Sequence, residues 1–361
     1  MARNTQLGLP IPSKTKWRRN LFLLILAGLA VYFFLPQFAR IGQAFQVVST
    51  FRIPLVTLSV GAQALSYLGS GYLLRMSVQL AAKPISVVDG ALLTAGANTV
   101  GTLGGGVLGT AGMTYVWLRR RGVNAGAAGL GGWLPVFLNN AALAVASLAG
   151  LAVLLALKKS SGVLVAGLCF AIFILAGGAG FLLWCLGYRE KLLPIATRIT
   201  GFIAKLRHKA QDRATTEAAV GLLLEAWDAL LQGGWHGPVL GALLNIAFDM
   251  LTLEFLFLAA GHGVTIAVLV AGYGVPQLLG KLTVILGGVG VVEATMVGLY
   301  STLGVPRPIA VVVVLAYRLL SFWLPTLAGV ALATYFERST SHESGAVDRT
   351  HLDIAQTKRK R

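Results

Sequence analysis

Four ionisable side chains stand inside sequence apolar enough to lie in a bilayer. They are Asp249 in LNIAFDMLTLEF, Lys281 in LLGKLTVILGG, Glu293 after GGVGVV and Arg318 in VVVVLAYRLLSFWLP. A charge at the centre of a membrane helix costs about 3 kcal/mol on insertion scales, so such residues face a partner or a polar cavity rather than lipid. Their types suit the handling of an anion. The planar Arg318 guanidinium can donate two hydrogen bonds to a phosphate, Lys281 adds a second positive charge, and Glu293 and Asp249 can balance or release what is bound. Free backbone amides at the start of the short helix that carries Glu293 would add to such a site. Each residue also has a plainer reading. Arg318 can pair with Glu293 or Asp249 to orient two helices, Glu293 can cap its own helix, and Lys281 can snorkel to an interface.

The other polar residues of the apolar sequence have structural readings. Asp89 opens a glycine-rich segment as a helix cap, Asn98, Asn139 and Asn140 serve hydrogen bonds between helices, and Glu254 falls towards a membrane interface. Cys169 and Cys185 lie within an apolar helix and read as packing residues. The histidines (His208, His236, His262, His342 and His351) have no metal-ligand spacing. The Gly280-Lys281-Leu282 run lacks the spacing and the Ser/Thr of a phosphate-binding loop, and there is no Gly-x-Ser-x-Gly elbow. The expectation is therefore a protein that is not an enzyme and that uses no cofactor or metal.

These residues need elements that hold them in lipid. Of 361 residues, 56% are hydrophobic and only 12% charged, with mean hydropathy +0.76. A soluble domain carries about a quarter charged residues, so the chain reads as an integral membrane protein of the all-α class. Its net charge of +17 is concentrated in the termini and a few short connections, as topology signals are. That pattern argues for anionic lipid headgroups as the electrostatic partner and against nucleic acid.

In chain order, residues 1–20 form a basic cytoplasmic N-terminus, and an uncleaved first span begins at Leu21. A second span runs from about Pro54 to Leu74, followed by a broken segment near 83–118, a long apolar block from Ala125 to Leu157 and a span from Gly162 to Leu186. Residues 188–236 carry basic residues between apolar ones at helical spacing, which predicts a cytoplasmic amphipathic helix in the headgroup plane. The second half, 237–336, echoes the first: a span from Pro238 to Ala260, a broken segment near 264–303, and a last span from Ile309. Residues 337–361 read as a disordered basic tail.

Gly109 to Val123 parallels Gly290 to Val305, each bracketing a short helix after a glycine cluster. By the positive-inside rule both termini are cytoplasmic, and the two broken segments start from opposite sides of the membrane. The predicted architecture is about six spans plus two re-entrant helical hairpins, arranged as an inverted-topology repeat of the kind that supports alternating access.

Gly-Gly-Val-Gly-Val-Val-Glu at 287–293, Leu-Gly-Val-Pro at 303–306 and Tyr-Arg-Leu-Leu-Ser-Phe-Trp-Leu-Pro at 317–325 resemble the lysylphosphatidylglycerol synthase transmembrane, or flippase-like, family. The likeness extends more loosely over residues 20–337. Its first-half loop departs from the family's Pro-Gly-Gly core, with Leu103-Gly104-Gly105-Gly106 in that place. The resemblance implies a membrane unit that moves aminoacylated phospholipid, without the soluble synthase domain, and it places the important acidic and basic set on Asp249, Glu293 and Arg318. The expected function is a lipid flippase of the bacterial inner membrane, with a phospholipid or an isoprenoid lipid as cargo and a homo-oligomer as a further option. Two alternatives come from other classes: an accessory that scaffolds a lipid-modifying enzyme through residues 188–235, and an intramembrane lipid-modifying enzyme.

Overall fold

A computed structural model describes residues 51–102, 106–156, 230–282 and 288–331, with scattered positions between 162 and 228. The predicted first span and basic tail lie outside the described residues, and the amphipathic 188–236 segment is described only in part. Every regular element among the described residues is helical. They are α1 (Ile53–Gln79), α2 (Val87–Val100), α3 (Gly106–Arg120), α4 (Ala125–Ala156), α5 (His236–Ala259), α6 (Ile266–Leu282), α7 (Val291–Thr302) and α8 (Arg307–Arg318). The last continues through a π-helical turn, Leu319–Trp323, to Ala331.

Among the described residues, three helices are long and apolar enough to cross a membrane: Ala125–Ala156, His236–Ala259 and Arg307–Ala331. Helix α1 has 27 residues, length enough to cross, but it lacks the apolar composition. It buries Ser59, Gln63, Ser66, Ser70 and Ser77, because this face meets other helices and a cavity instead of lipid. The two broken segments each resolve into a pair of short helices, of 14 and 15 residues in the first and 17 and 12 in the second. Each is shorter than the roughly 20 residues that a span requires.

Helices α1 and α5 pack antiparallel at the centre. The Arg52 N–H donates to the Ala259 carbonyl at 3.0 Å at one end of the pair. In the middle, the Asn245 amide donates to the Ser66 carbonyl and hydroxyl, while the Ser66 hydroxyl donates to the Asn245 carbonyl, all at 2.9 Å. Such close approach requires residues without side chains. A Cβ on Gly69 would lie 2.7 Å from the Asn245 nitrogen, and one on Gly241 would lie 2.6 Å from the Leu73 Cα. Lipid tails are as apolar as leucine, so tight backbone packing of this kind drives helix association in a membrane. Gly241→Ala should therefore lower stability by about 1–3 kcal/mol. Gly61→Ala, at a position with nothing within 4 Å, should be neutral or slightly stabilising. Thermal melts of the two variants in one detergent check this, and equal midpoints would contradict it.

The short helices are fixed at their ends. Ser86 caps α2 by accepting from the Asp89 N–H at 3.0 Å, and its hydroxyl donates back to the Asp89 carboxylate at 2.6 Å. Asp89 also pairs with Arg121 at 2.7 Å, which ties the start of α2 to the end of α3. The Ser86 hydroxyl first, and Arg121 second, hold this carboxyl below the ordinary carboxylate range. The cap expected of Asp89 is therefore supplied by Ser86, and Asp89 sits in the first turn, where its carboxylate holds the capping hydroxyl and Arg121. Helix α4 crosses α6 where Gly150 meets Ala271 and Gly274 meets Ser147.

Candidate functional site

A polar cavity of about 630 Å³ opens between the helices. Asp249 of α5, Lys281 of α6 and Arg318 of α8 all line it. Glu293, on α7, is not on its wall but is joined to it through Arg318. The four residues singled out from sequence thus converge on one region.

Arg318 and Glu293 form the innermost pair. The Arg318 Nε donates to Glu293 Oε1 at 2.7 Å, and both side chains are more than nine-tenths buried. The other Glu293 oxygen accepts from the Gly290 N–H at 2.6 Å. A carboxylate at the third helical position reaching back to the N-cap amide satisfies one of the helix's orphan donors. The amides expected to be free for an anion therefore include one that the chain's own carboxylate has taken. Gly290 sits at φ 87° and Gly288 at φ 66°, a left-handed backbone that glycine adopts without strain. This is how GGVG delivers Glu293 at the first turn. The Arg318 guanidinium carbon also lies 4.2 Å from the centre of the Phe322 ring, a cation–π arrangement. Directly after Arg318 the helix widens into its π turn. The Tyr67 hydroxyl of α1 donates to the Ser321 carbonyl in this turn at 3.2 Å.

Asp249 has a different environment. Its Oδ2 accepts from the hydroxyls of Tyr273 and Tyr317, each at 2.7 Å. The Gln277 amide donates to the Tyr317 hydroxyl at 2.7 Å, extending the chain of hydrogen bonds. No cation lies within ion-pair distance of Asp249 among the described residues. Of its two sequence-predicted partners, Arg318 has chosen Glu293.

Lys281 stands two turns along α6 from Tyr273, with Gln277 between them, so the three share one helix face. Its side chain is exposed at the cavity, and it makes no ion pair among the described residues. The opposite wall comes from the first half and carries no charge. Thr99 and Thr114 donate their hydroxyls to carbonyls of their own helices, leaving the oxygen lone pairs as acceptors. Asn98, Asn139 and Asn140 also line this wall. Asn140 donates to the Val136 carbonyl one turn earlier at 2.7 Å, within its own helix rather than between helices.

Sequence reading missed Tyr67, Tyr273, Gln277 and Tyr317. Tyrosines in apolar runs are ordinary packing residues, so they carried no signal singly. The four-residue spacing of Tyr273, Gln277 and Lys281 could have marked a polar stripe on α6.

Apolar helices long enough to span, around a polar cavity with ionisable groups on its wall, define a multi-pass membrane protein. The model of the lysylphosphatidylglycerol synthase TM region family matches residues 21–329, and the chain belongs to that family. The chain is 35% identical over 81 residues to a UPF0104 membrane protein of Pyrococcus horikoshii, covering 22% of this chain and 24% of that one. It is 28% identical over 95 residues to one of Methanothermobacter thermautotrophicus, covering 26% and 28%. It is 24% identical over 167 residues to one of Methanocaldococcus jannaschii, covering 45% and 50%. These matches span between about a quarter and a half of the relatives' length.

Proposed function

We propose that the protein is a lipid flippase working by alternating access, in which a phosphate-bearing headgroup enters the cavity while its acyl chains stay in the bilayer. The observation that carries this reading is the cavity itself, with Lys281, Arg318 and Asp249 on a wall built partly by spanning helices. A charged headgroup crossing the membrane needs such a polar path. Lys281 and Arg318 supply positive charge to the phosphate, and Glu293 and Asp249 balance it. Membrane lipids are then the partners, the membrane is the bacterial inner membrane with both termini in the cytoplasm, and no enzymatic step is involved.

Alternating access is supported by an inverted repeat of α1–α4 and α5–α8, with α2–α3 and α6–α7 as re-entrant hairpins. Each half runs long, short, short, long. The shift along the chain that carries Gly69 onto Gly241 also carries Leu73 onto Asn245, so the two glycine contacts at the α1–α5 crossing are one contact made twice. It carries Thr99 onto Ala271 as well, and Gly329 meets Thr99 as Gly150 meets Ala271. Gly122 and Gly304, at φ 79° and φ 100°, close corresponding turns. Repeats related in this way can exchange conformations about a central site.

The test is a dithionite-quench assay in vesicles of phosphatidylethanolamine and phosphatidylglycerol carrying fluorescent phosphatidylglycerol. The protein should accelerate loss of the protected signal, and Lys281→Gln should slow it several-fold. Flipping no faster than in protein-free vesicles would sink the reading and favour a scaffold.

A further inference from the structure

We infer that Asp249 is the proton-carrying group of this cavity, so that movement of the headgroup is coupled to movement of a proton. The inference rests on the flippase reading for the cargo, but not for the proton site. The two carboxylates near the cavity differ in one respect. Glu293 has a guanidinium at 2.7 Å and a backbone amide at 2.6 Å, so both its oxygens have a donor and one of these donors is a cation. Among the described residues the donors to Asp249 are neutral: the Tyr273 and Tyr317 hydroxyls and the Gln63 amide. A carboxylate in a membrane interior that makes no ion pair at contact distance, its nearby guanidinium being bound to Glu293, is the group that exchanges its charge for a proton.

The groups around it leave this role to Asp249. From α1 comes Tyr67, whose hydroxyl donates to a backbone carbonyl. From α6 come Tyr273 and, two turns on, Lys281. From α8 come Tyr317 and Arg318, with the Arg318 charge answered by Glu293 of α7. On α5 itself, Asn245 is bound to Ser66, and Glu254 lies more than one turn away. Tyr317 accepts from Gln277 while donating to Asp249, so a change of charge on Asp249 alters a chain reaching α8 and α6. These helices carry the two cationic residues of the cavity wall. Protonating Asp249 removes one negative charge from the cavity, and headgroup binding brings one in. The two events therefore favour each other.

In the cycle, the Asp249 carboxylate takes a proton from cavity water open to one side, forming its O–H bond. It returns that proton to water on the other side. No other bond is made or broken. With one proton per lipid, a gradient of one pH unit sustains up to about a tenfold leaflet asymmetry, because the proton ratio is tenfold.

The full-length protein is placed in phosphatidylethanolamine/phosphatidylglycerol vesicles with fluorescent phosphatidylglycerol, and an imposed pH gradient is held at clamped membrane potential. The initial flip rate of the wild type should change several-fold with the gradient and return to baseline with a protonophore. Asp249→Asn should flip at a rate indifferent to the gradient, and Asp249→Glu should regain the dependence. Infrared difference spectra across a pH titration should contain a carboxyl C=O band that Asp249→Asn removes. A wild-type rate that ignores the pH gradient but follows a sodium gradient overturns the inference. So does an infrared band that survives Asp249→Asn. Absence of flipping in every arm, with the band present and lost in Asp249→Asn, overturns the flippase reading and leaves the proton site standing.

Discussion

Arg318→Ala should lower the stability of the protein by about 3–5 kcal/mol, one of the two largest single-residue effects expected in the chain. The reason is what the substitution leaves behind. Glu293 is 7% exposed, and without the guanidinium its Oε1 loses a 2.7 Å partner. Breaking a buried pair costs more than the pair contributes, because an uncompensated charge stays in a low-dielectric site. Glu293→Gln also strands a charge, since Arg318 is 4% exposed, but it should be milder than Arg318→Ala. An amide oxygen can still accept from the Gly290 N–H and from the guanidinium, which also borders the cavity and the Phe322 ring. A double variant, Glu293→Gln with Arg318→Gln, should recover part of the loss, since no charge is then buried. Thermal unfolding in a single detergent measures all three. A double variant as unstable as the sum of Glu293→Gln and Arg318→Gln, the latter measured alongside, would mean that the two side chains do not act as a pair.

The double variant also separates structure from transport. A charge swap is a poor instrument here, because Arg at position 293 cannot accept from the Gly290 amide. The neutral double variant can. If it is folded and flips fluorescent lipid at the wild-type rate, the pair only orients α7 against α8. If it is folded but slow, the positive charge of Arg318 acts on the headgroup. Restoration by Glu293→Gln with Arg318→Lys would then assign the effect to charge rather than to the planar fork.

Charge in apolar sequence was the legible part of the site. Asp249, Lys281, Glu293 and Arg318 are conspicuous because lipid tolerates them badly, and they do converge on one region of the structure. Their pairing was not legible. Arg318 had two candidate carboxylates on different helices, and the choice follows from the backbone path of Gly288 to Gly290, where two left-handed glycines turn the chain into α7. The neutral partners of Asp249 were hidden for another reason. Tyr273 and Tyr317 are 3% and 0% exposed, and a buried tyrosine in sequence looks like core. Which face of α1 is buried was not legible: Ser59, Gln63, Ser66 and Ser70 fall within the span read from about Pro54 to Leu74, and the structure buries this stripe on one face. Periodicity of small polar residues is a weak signal against an apolar background. The turn glycines at 122 and 304 were visible, but which helix each packing glycine touches depends on the crossing points.

Gly288→Val should be the other severe substitution, at about 3 kcal/mol or more, for two independent reasons. First, the backbone at Gly288 has φ 66°, a region costing a β-branched residue about 1–2 kcal/mol or more. Second, a Cβ there would lie 2.7 Å from the Gly280 Cα and 2.8 Å from its carbonyl oxygen. Both are backbone atoms, which do not swing aside as a side chain does, so α6 and α7 would have to move apart. Gly304 separates the two contributions. Its φ is 100°, yet nothing lies within 4 Å of a Cβ at that position, so Gly304→Ala carries conformational strain without the clash. The expected order of midpoints in one detergent is wild type, then Gly304→Ala, then Gly288→Ala, with Gly288→Val lowest. Equal losses for Gly304→Ala and Gly288→Ala would show that strain alone matters and that the contact with Gly280 is dispensable. The contact also carries a functional consequence. Gly280 precedes Lys281, and Gly288 lies two residues before the amide that holds Glu293. A wedge between these glycines would separate the exposed cation from the buried ion pair. Flipping of fluorescent lipid by Gly288→Ala should therefore fall by more than its remaining folded fraction accounts for.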